Sequence, residues 1–316
     1  MRHLQRAVEL AERGRGTTHP NPVVGAVVVR DGEVVGEGWH ERKGEAHAEV
    51  RALAAAGDRA RGATLYVSLE PCRSHGSTPP CTEAVLRAGV AKVVAAALDP
   101  NPTAGGGLEE LRAAGVEVEL ADGSVAFAAR RQNEAWRTWV SQRRPFVIYK
   151  AAVTLDGRVT LPEKRWISGE ESRRRVHELR AAVDAVAVGT GTVRADDPQL
   201  TARGVGAPRQ PRRLVFGSSA LPRGSELELR TGPLEDELAQ LAAEGVQSLL
   251  LEGGPTLATA FFRGGLVDKV LLFVAPVVAG EGPVFVGSLD EPVTLHRLDL
   301  ERVGQDVLLS GYVHEP

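Results

Sequence analysis

Residues 47–98 read HAEVRALAAAGDRARGATLYVSLEPCRSHGSTPPCTEAVLRAGVAKVVAAAL. Apolar residues in 47–56 recur at helical spacing, TLYVSL is a run of strand length and type, 82–88 is helical again, and KVVAAAL is a second strand. Helix, strand, helix, strand in immediate succession predicts an α/β layered domain with a largely parallel sheet. Working outward toward the N-terminus, VVGAVVVR from Val23 reads as a buried strand that Asp31-Gly32 turns into EVVGEGW. Before it, Leu4, Ala7, Val8 and Ala11 mark a helix, which a break containing His19, Pro20, Asn21 and Pro22 ends. Toward the C-terminus come a helix near Leu108 and one helix-like segment over 124–140. After Gln142, Arg143, Arg144 and Pro145 the pattern starts again with FVIYKAAV. The expected domains are therefore 1–144 and 145–316. The second is also α/β, with strands DAVAVG, RRLVFG, QSLLLEG, VDKVLLFVAP, VTLHRLDL and DVLLSGYV around helices over 171–182, 234–243 and 256–263.

The 316 residues suit two domains, and 43% hydrophobic with 25% charged residues is ordinary globular usage. A net charge of −3 gives no basic footprint for long nucleic acid, so a small substrate fits better. MRHLQRAVELAERGR lacks a signal-like apolar core, and no segment reaches the roughly 20 apolar residues of a membrane helix. The expected location is the cytoplasm. Two cysteines make no disulfide framework, and in a reducing compartment such a pair points to a metal or to catalysis.

His47-Ala48-Glu49, Pro71-Cys72 and Cys81 supply one imidazole and two thiolates, a donor set that suits Zn²⁺. Three ligands leave the fourth position for water, whose pKa the ion lowers toward neutrality. Glu49, two residues from His47 at a helix start, faces the same place and is suited to carry a proton to a departing amine. His-x-Glu with Pro-Cys is the pattern of zinc-dependent nucleobase deaminases. That pattern has two residues between its cysteines, whereas PCRSHGSTPPC encloses residues 73–80; Gly76, Pro79 and Pro80 supply the turns that bring both sulfurs to one ion. The alternative is a closed structural site with a fourth ligand such as His75, beside which Glu49 has no task. Asn21 offers paired donor and acceptor groups for a ring edge, and His40 ends the hairpin shortly before His47. Their other readings are a helix terminator and a surface histidine.

In the second half, QSLLLEGGPTLATAFF is a strand, a Gly253-Gly254-Pro255 turn and a helix start with Thr256, which offers backbone N–H groups to a phosphate. It departs from the Rossmann fingerprint, and that fold is disfavoured. VGTGTV is a second flexible stretch, or a simple tight turn. Arg180 and Arg203 suit a phosphate, Glu252 and Asp196 suit sugar hydroxyls, and all four also read as solvated surface charges. Asp196 is the candidate for proton handling.

TTHPNPVVGAVVV, GEGWHERKGEAHAE and SLEPCRSHGSTPPC, with KAAVTLDGRV, WIS, VGTGTVRADDPQLTAR and LEGGPTLATAFF, resemble the bifunctional riboflavin biosynthesis deaminase/reductase family along almost the whole chain. The long Cys72-to-Cys81 loop is a mark of that family. The resemblance implies a three-layer cytidine-deaminase-like domain followed by a dihydrofolate-reductase-like domain. It implies zinc-dependent deamination of a diaminopyrimidinone ribosyl phosphate, then NADPH-dependent reduction of ribosyl to ribityl. Carried over motif by motif, NADPH contacts fall on Ala152, Trp166, Thr192, Asp196, Ser218 and the turn Gly254, Pro255, Thr256 and Leu257. Substrate contacts fall on Lys164, Arg180, Leu200, Arg203 and Glu252, besides Asn21 and His40 in the first domain. LPEKRW is shorter than the family's usual segment, which bears on Lys164. No nucleic-acid or membrane partner is expected, and the expected assembly is a homo-oligomer, a dimer or tetramer. The competing reading is a nucleoside or tRNA deaminase with an unrelated C-terminal domain.

Overall fold

The computed structural model describes residues 1–316 apart from Ser77, Glu163 and Pro208. Contacts divide the chain into two compact units, Met1–Gln142 with Pro316, and Arg143–Glu315.

The first unit runs α1 (Arg2–Ala11), β1 (Gly25–Arg30), β2 (Glu33–Trp39), α2 (Ala48–Ala56), β3 (Thr64–Val67), α3 (Cys81–Ala88), β4 (Lys92–Ala95), α4 (Gly107–Ala113), β5 (Glu117–Leu120), α5 (Gly123–Gln132) and α6 (Glu134–Gln142). Among the described residues its strands form one sheet in the order β2-β1-β3-β4-β5. β3, β4 and β5 are parallel, but β1 is antiparallel to both β2 and β3. The sheet is thus mixed, where the alternation of elements predicts a largely parallel one. The cause is the two-residue turn, whose Asp31 and Gly32 have φ of 52° and 83° and can only reverse the chain. β1 is buried on both faces: Ala26 and Val28 join the cluster under α2, α3 and α4, while Val27 and Val29 pack on α1. Val125, Ala129 and Trp136 of α5 and α6 cover that second face, which completes three layers.

Two contacts fix the elements that carry the site. A Cβ on Gly36 would lie 2.2 Å from the Ala52 oxygen, and one on Gly38 2.6 Å from the Ala48 oxygen, so α2 lies on β2 at a spacing only glycine allows. The single helix expected over 124–140 is broken between α5 and α6. Asn133 there accepts from Val23 N and donates to Val23 O, both at 2.9 Å, and so anchors the loop that carries Asn21.

The second unit runs β6 (Phe146–Thr154), α7 (Glu170–Ala182), β7 (Ala185–Gly189), α8 (Thr190–Asp196), β8 (Arg212–Phe216), β9 (Glu228–Arg230), α9 (Leu234–Ala243), β10 (Ser248–Leu251), α10 (Pro255–Arg263), β11 (Lys269–Ala275), β12 (His296–Val303) and β13 (Asp306–Tyr312). Its sheet has the order β12-β13-β11-β6-β10-β7-β8-β9. It is parallel from β11 to β9, and β13 and β12 close it antiparallel. The central strands are apolar on both faces, and β10 is buried throughout. Arg144 donates to both carboxylate oxygens of the buried Asp268 at 2.6 and 2.7 Å, and Val147 N donates to the same group at 2.8 Å, which pins the start of β6 to the start of β11. Among the described residues no helix is long and apolar enough to cross a membrane.

Candidate active sites

In the first unit two helix N-termini converge. His47 is the N-cap of α2 and Glu49 lies in its first turn; Cys81 is the first residue of α3; Cys72 lies in the loop that follows β3. One donor atom from each of His47, Cys72 and Cys81 lies within 4.8 Å of the others. The contacting nitrogen is Nδ1, 3.2 Å from Cys81 Sγ and 3.6 Å from Cys72 Sγ. Tetrahedral zinc with Zn–N and Zn–S bonds of about 2.05 and 2.3 Å sets nitrogen and sulfur about 3.6 Å apart, so the donors fit that ion. With Nδ1 facing the metal position, Nε2 carries the proton and donates to Thr78 Oγ1 at 3.3 Å, which fixes the ring. Nothing in the motif spacing points to Thr78.

The electrostatics of the cluster also ask for a cation. Hydrogen bonds from the Cys81 thiol and from His47 pull Cys72 down to about 4. Donation to Cys72 and burial push Cys81 up, because a second thiolate in this place needs a positive charge beside it. Glu49 is 3% exposed, and burial raises its carboxyl to about 7. Its Oε2 has no hydrogen-bond partner among the described residues. A buried, unpartnered carboxyl oxygen beside three metal donors favours the open site over a closed one, and His75 stands well exposed, near Glu83.

The cavity over this cluster measures about 310 Å³ and is lined by Asn21, His40, His47, Glu49 and Cys72. Asn21 and His40 are neither a bare helix terminator nor a surface pair. With its proton on Nδ1 directed to the Ala46 oxygen at 3.3 Å, buried His40 accepts from Asn21 Nδ2 at 3.2 Å. Burial lowers its pKa, which keeps the ring neutral. Asp99, Trp136 and Trp139 also line it. Burial raises Asp99 to about 6, and Asn101 N donates to its Oδ1 at 2.8 Å. Its only signal in the sequence is its place as the first polar residue after KVVAAAL, at the C-terminal end of a parallel strand.

A second cavity, of about 950 Å³, opens at the C-terminal ends of the parallel strands in the other unit. α10 begins at Pro255 with Gly254 as its N-cap, so Gly254, Pro255, Thr256 and Leu257 present the helix start to the cavity. VGTGTV is neither a simple turn nor a flexible stretch, since Gly189 caps α8 and Thr190 begins it. Thr192, Asp196, Ser218, Ala152 and Trp166 all line the cavity, as do Arg180, Arg203 and Glu252. Arg180 donates to Glu252 at 2.6 and 3.1 Å, and Lys150 Nζ stands 3.8 Å from the same carboxylate. Burial pushes Glu252 up, but Lys150 and Arg180 hold it below its ordinary value; burial lowers Lys150. Lys150, the one charge in the apolar run FVIYKAAVT, is visible as an anomaly in the sequence. Asp196 is exposed, whereas Glu252 is the enclosed carboxylate of the cavity.

Two carried-over positions lie elsewhere. Leu200 is 1% exposed and packs among Val183, Val186, Val193 and Val215, because an apolar side chain after the Asp197-Pro198 turn is drawn under the sheet; it offers the cavity no side chain. Lys164 is exposed and outside the cavity lining, in a tight turn where its N–H donates to Leu161 O at 3.4 Å.

A family profile described as cytidine and deoxycytidylate deaminase zinc-binding region matches residues 1–97, and one described as RibD C-terminal domain matches residues 145–309. Riboflavin biosynthesis protein RibD of Aquifex aeolicus is 40% identical over 97% of this chain and 96% of its own. The Escherichia coli protein of the same name is 39% identical over 88% of each. Among solved structures, RibD of Acinetobacter baumannii superposes with a TM-score of 0.85 at 36% identity, covering 98% of both chains. A Thermotoga maritima protein described as a diaminohydroxyphosphoribosylaminopyrimidine deaminase/5-amino-6-(5-phosphoribosylamino)uracil reductase gives 0.82 at 33% identity, over 98% of this chain and 97% of that one.

Proposed function

The chain belongs to the RibD family of riboflavin biosynthesis proteins, and on that premise we propose the reaction each half performs and the residues that perform it. It is an enzyme of two activities, with a cytidine-deaminase-like half and a dihydrofolate-reductase-like half. A nucleoside or tRNA deaminase with an unrelated C-terminal domain is set aside, since relatives match both halves in order along 97% of the chain.

Residues 1–144 remove the 2-amino group of 2,5-diamino-6-ribosylamino-4(3H)-pyrimidinone 5′-phosphate. The observation that supports this most is the buried Glu49 Oε2 without a partner among the described residues, in the first turn of the helix whose N-cap His47 is one of three donors at zinc spacing. Zinc, held by His47, Cys72 and Cys81, supplies the Lewis acidity that makes water a nucleophile near neutral pH. Glu49 takes a proton from the attacking water and delivers it to the departing amine, a role suited to a buried carboxyl beside the metal donors. Asn21 reads the ring edge, and neutral His40 holds the amide in place.

Residues 145–316 then reduce the ribosyl unit to ribityl. NADPH supplies the hydride. The start of α10 at Gly254, Pro255, Thr256 and Leu257 holds its diphosphate, with Ala152, Trp166, Thr192, Asp196 and Ser218 along its length. Arg180 and Arg203 hold the substrate's phosphate and Glu252 accepts from its sugar hydroxyls. A cytoplasmic homo-oligomer belongs to the same proposal. Leu298 and Leu300, 61% and 68% exposed on edge strand β12, are apolar surface for it to cover, and light scattering at the mass of one chain removes that part.

The decisive experiment follows ammonia release and NADPH oxidation separately in one incubation with zinc, NADPH and the diaminopyrimidinone substrate. Both signals are expected, ammonia first. Ammonia without NADPH oxidation defeats the reductase assignment, and no ammonia defeats the deaminase assignment.

A further inference from the structure

His177 and Arg180 stand one turn apart on the same face of α7, and both line the larger cavity. Beside them the segment 197–203 is held in a costly shape. Asp197 and Leu200 have φ of 42° and 54°, the left-handed region that a side chain disfavours. Gln210 pairs with both the N–H and the oxygen of Ala202, at 2.8 and 2.9 Å. From the helix, Arg180 Nη1 donates to the Thr201 oxygen at 3.2 Å, and His177 Nδ1 stands 3.1 Å from that oxygen and 3.3 Å from Arg203 N.

One ring nitrogen can serve either the oxygen or the N–H. The Thr201 oxygen already accepts from Arg180, whereas Arg203 N has no other acceptor among the described residues. Nδ1 therefore accepts, and the proton sits on Nε2. The ring has to be neutral for this, and burial lowers its pKa; Arg180 and Arg203 add to that, against the opposing pull of the Thr201 oxygen and Glu252. On a ring that lines the cavity, Nε2–H has no partner among the described residues. The phosphate assigned to this part of the cavity is short of donors. Arg180 commits three N–H groups inside the protein, two to Glu252 at 2.6 and 3.1 Å and one to Thr201. Arg203 has one bond of its own, to Gln199 at 2.6 Å. A phosphate monoester is nearly a dianion with several strong acceptor oxygens, and it takes further N–H donors.

We infer that His177 binds the substrate's phosphate through Nε2–H while its Nδ1 holds the Arg203 backbone, so that one ring both orders the segment and completes the anion site. The inference rests on the reductase reading above. Two amide variants separate the two nitrogens: the amide of His177→Asn falls near the place of Nδ1, that of His177→Gln near the place of Nε2. NADPH oxidation is followed in the intact chain with the deaminated substrate and with its dephosphorylated riboside, and NADPH affinity by fluorescence titration checks that the cavity is intact. For the phosphorylated substrate His177→Asn should raise KM roughly ten- to hundredfold, the worth of a hydrogen bond to a charged group, with kcat within about twofold. His177→Gln should stay within about threefold of the wild-type KM, and the riboside should lose nothing in either variant. A normal KM in His177→Asn overturns the inference, as does a His177→Gln variant equally impaired, or an equal loss for phosphate ester and riboside. A wild type that oxidises no NADPH with the deaminated substrate overturns the reductase reading with it.

Discussion

In the reaction proposed above Glu49 exchanges a proton from a buried position, where burial raises its carboxyl to about 7. Glu49→Gln keeps the volume and the polarity but cannot accept the proton. Ammonia release should fall by at least about 100-fold, with zinc content by atomic absorption unchanged. Near wild-type release in that variant removes the proton-transfer role. A residue with a different duty is Asp268, 1% exposed between Arg144, Val147 N and His314. Burial pushes its carboxyl up, but those donors hold the net value below the ordinary one. A group whose folded pKa is depressed contributes its stability above the unfolded pKa near 4, and loses it as pH falls through the folded value. Asp268→Asn should therefore lower unfolding stability by about 3–5 kcal/mol at pH 7 in urea melts, with the gap from wild type closing below about pH 4.

The start of α2 bears a candidate metal donor, its N-cap His47, and the proposed proton carrier Glu49, and the helix's height above the sheet is set by the absence of two side chains on β2. Gly38→Ala puts a methyl into the Ala48 oxygen, at the turn that bears His47 and Glu49. It should cost about 1–3 kcal/mol and reduce zinc retained on dialysis, while NADPH oxidation with an already deaminated substrate is unchanged. Full zinc retention means the helix yields elsewhere. At this scale β2, α9 and the helix over 48–56 are legible in the sequence because apolar period and turn residues agree there. β5 and β9 are not, for EVEL and ELR are short, polar edge pieces that form only because a partner strand lies alongside. The break at Asn133 depends on Val23, far away in sequence, and no local pattern encodes it. The sites divide in the same way. His47, Glu49, Cys72 and Cys81 sit at motif spacing and can be named from the chain, whereas Asp99, in the loop after β4, and Lys150, on β6, meet their cavities only after folding.

The two units have separate sheets, separate apolar clusters and separate cavities, so the two activities should be separable by what each needs. Dialysis against a strong zinc chelator should abolish ammonia release and restore it on adding Zn²⁺, while reduction of a deaminated substrate persists throughout. Loss of both on chelation shows that the metal supports the fold of the whole chain. The thiols of the chain add something to this. Cys72 and Cys81 are its only two cysteines, and both face the same ion position. Every sulfhydryl the molecule can present to a colorimetric reagent is thus a vacated ligand, and Cys72, held near 4, is already thiolate at neutral pH when the ion is gone. A count of reactive sulfhydryls is therefore an occupancy gauge that needs no label, and an oxidant that reaches the apoprotein has a ready pair of sulfurs to join.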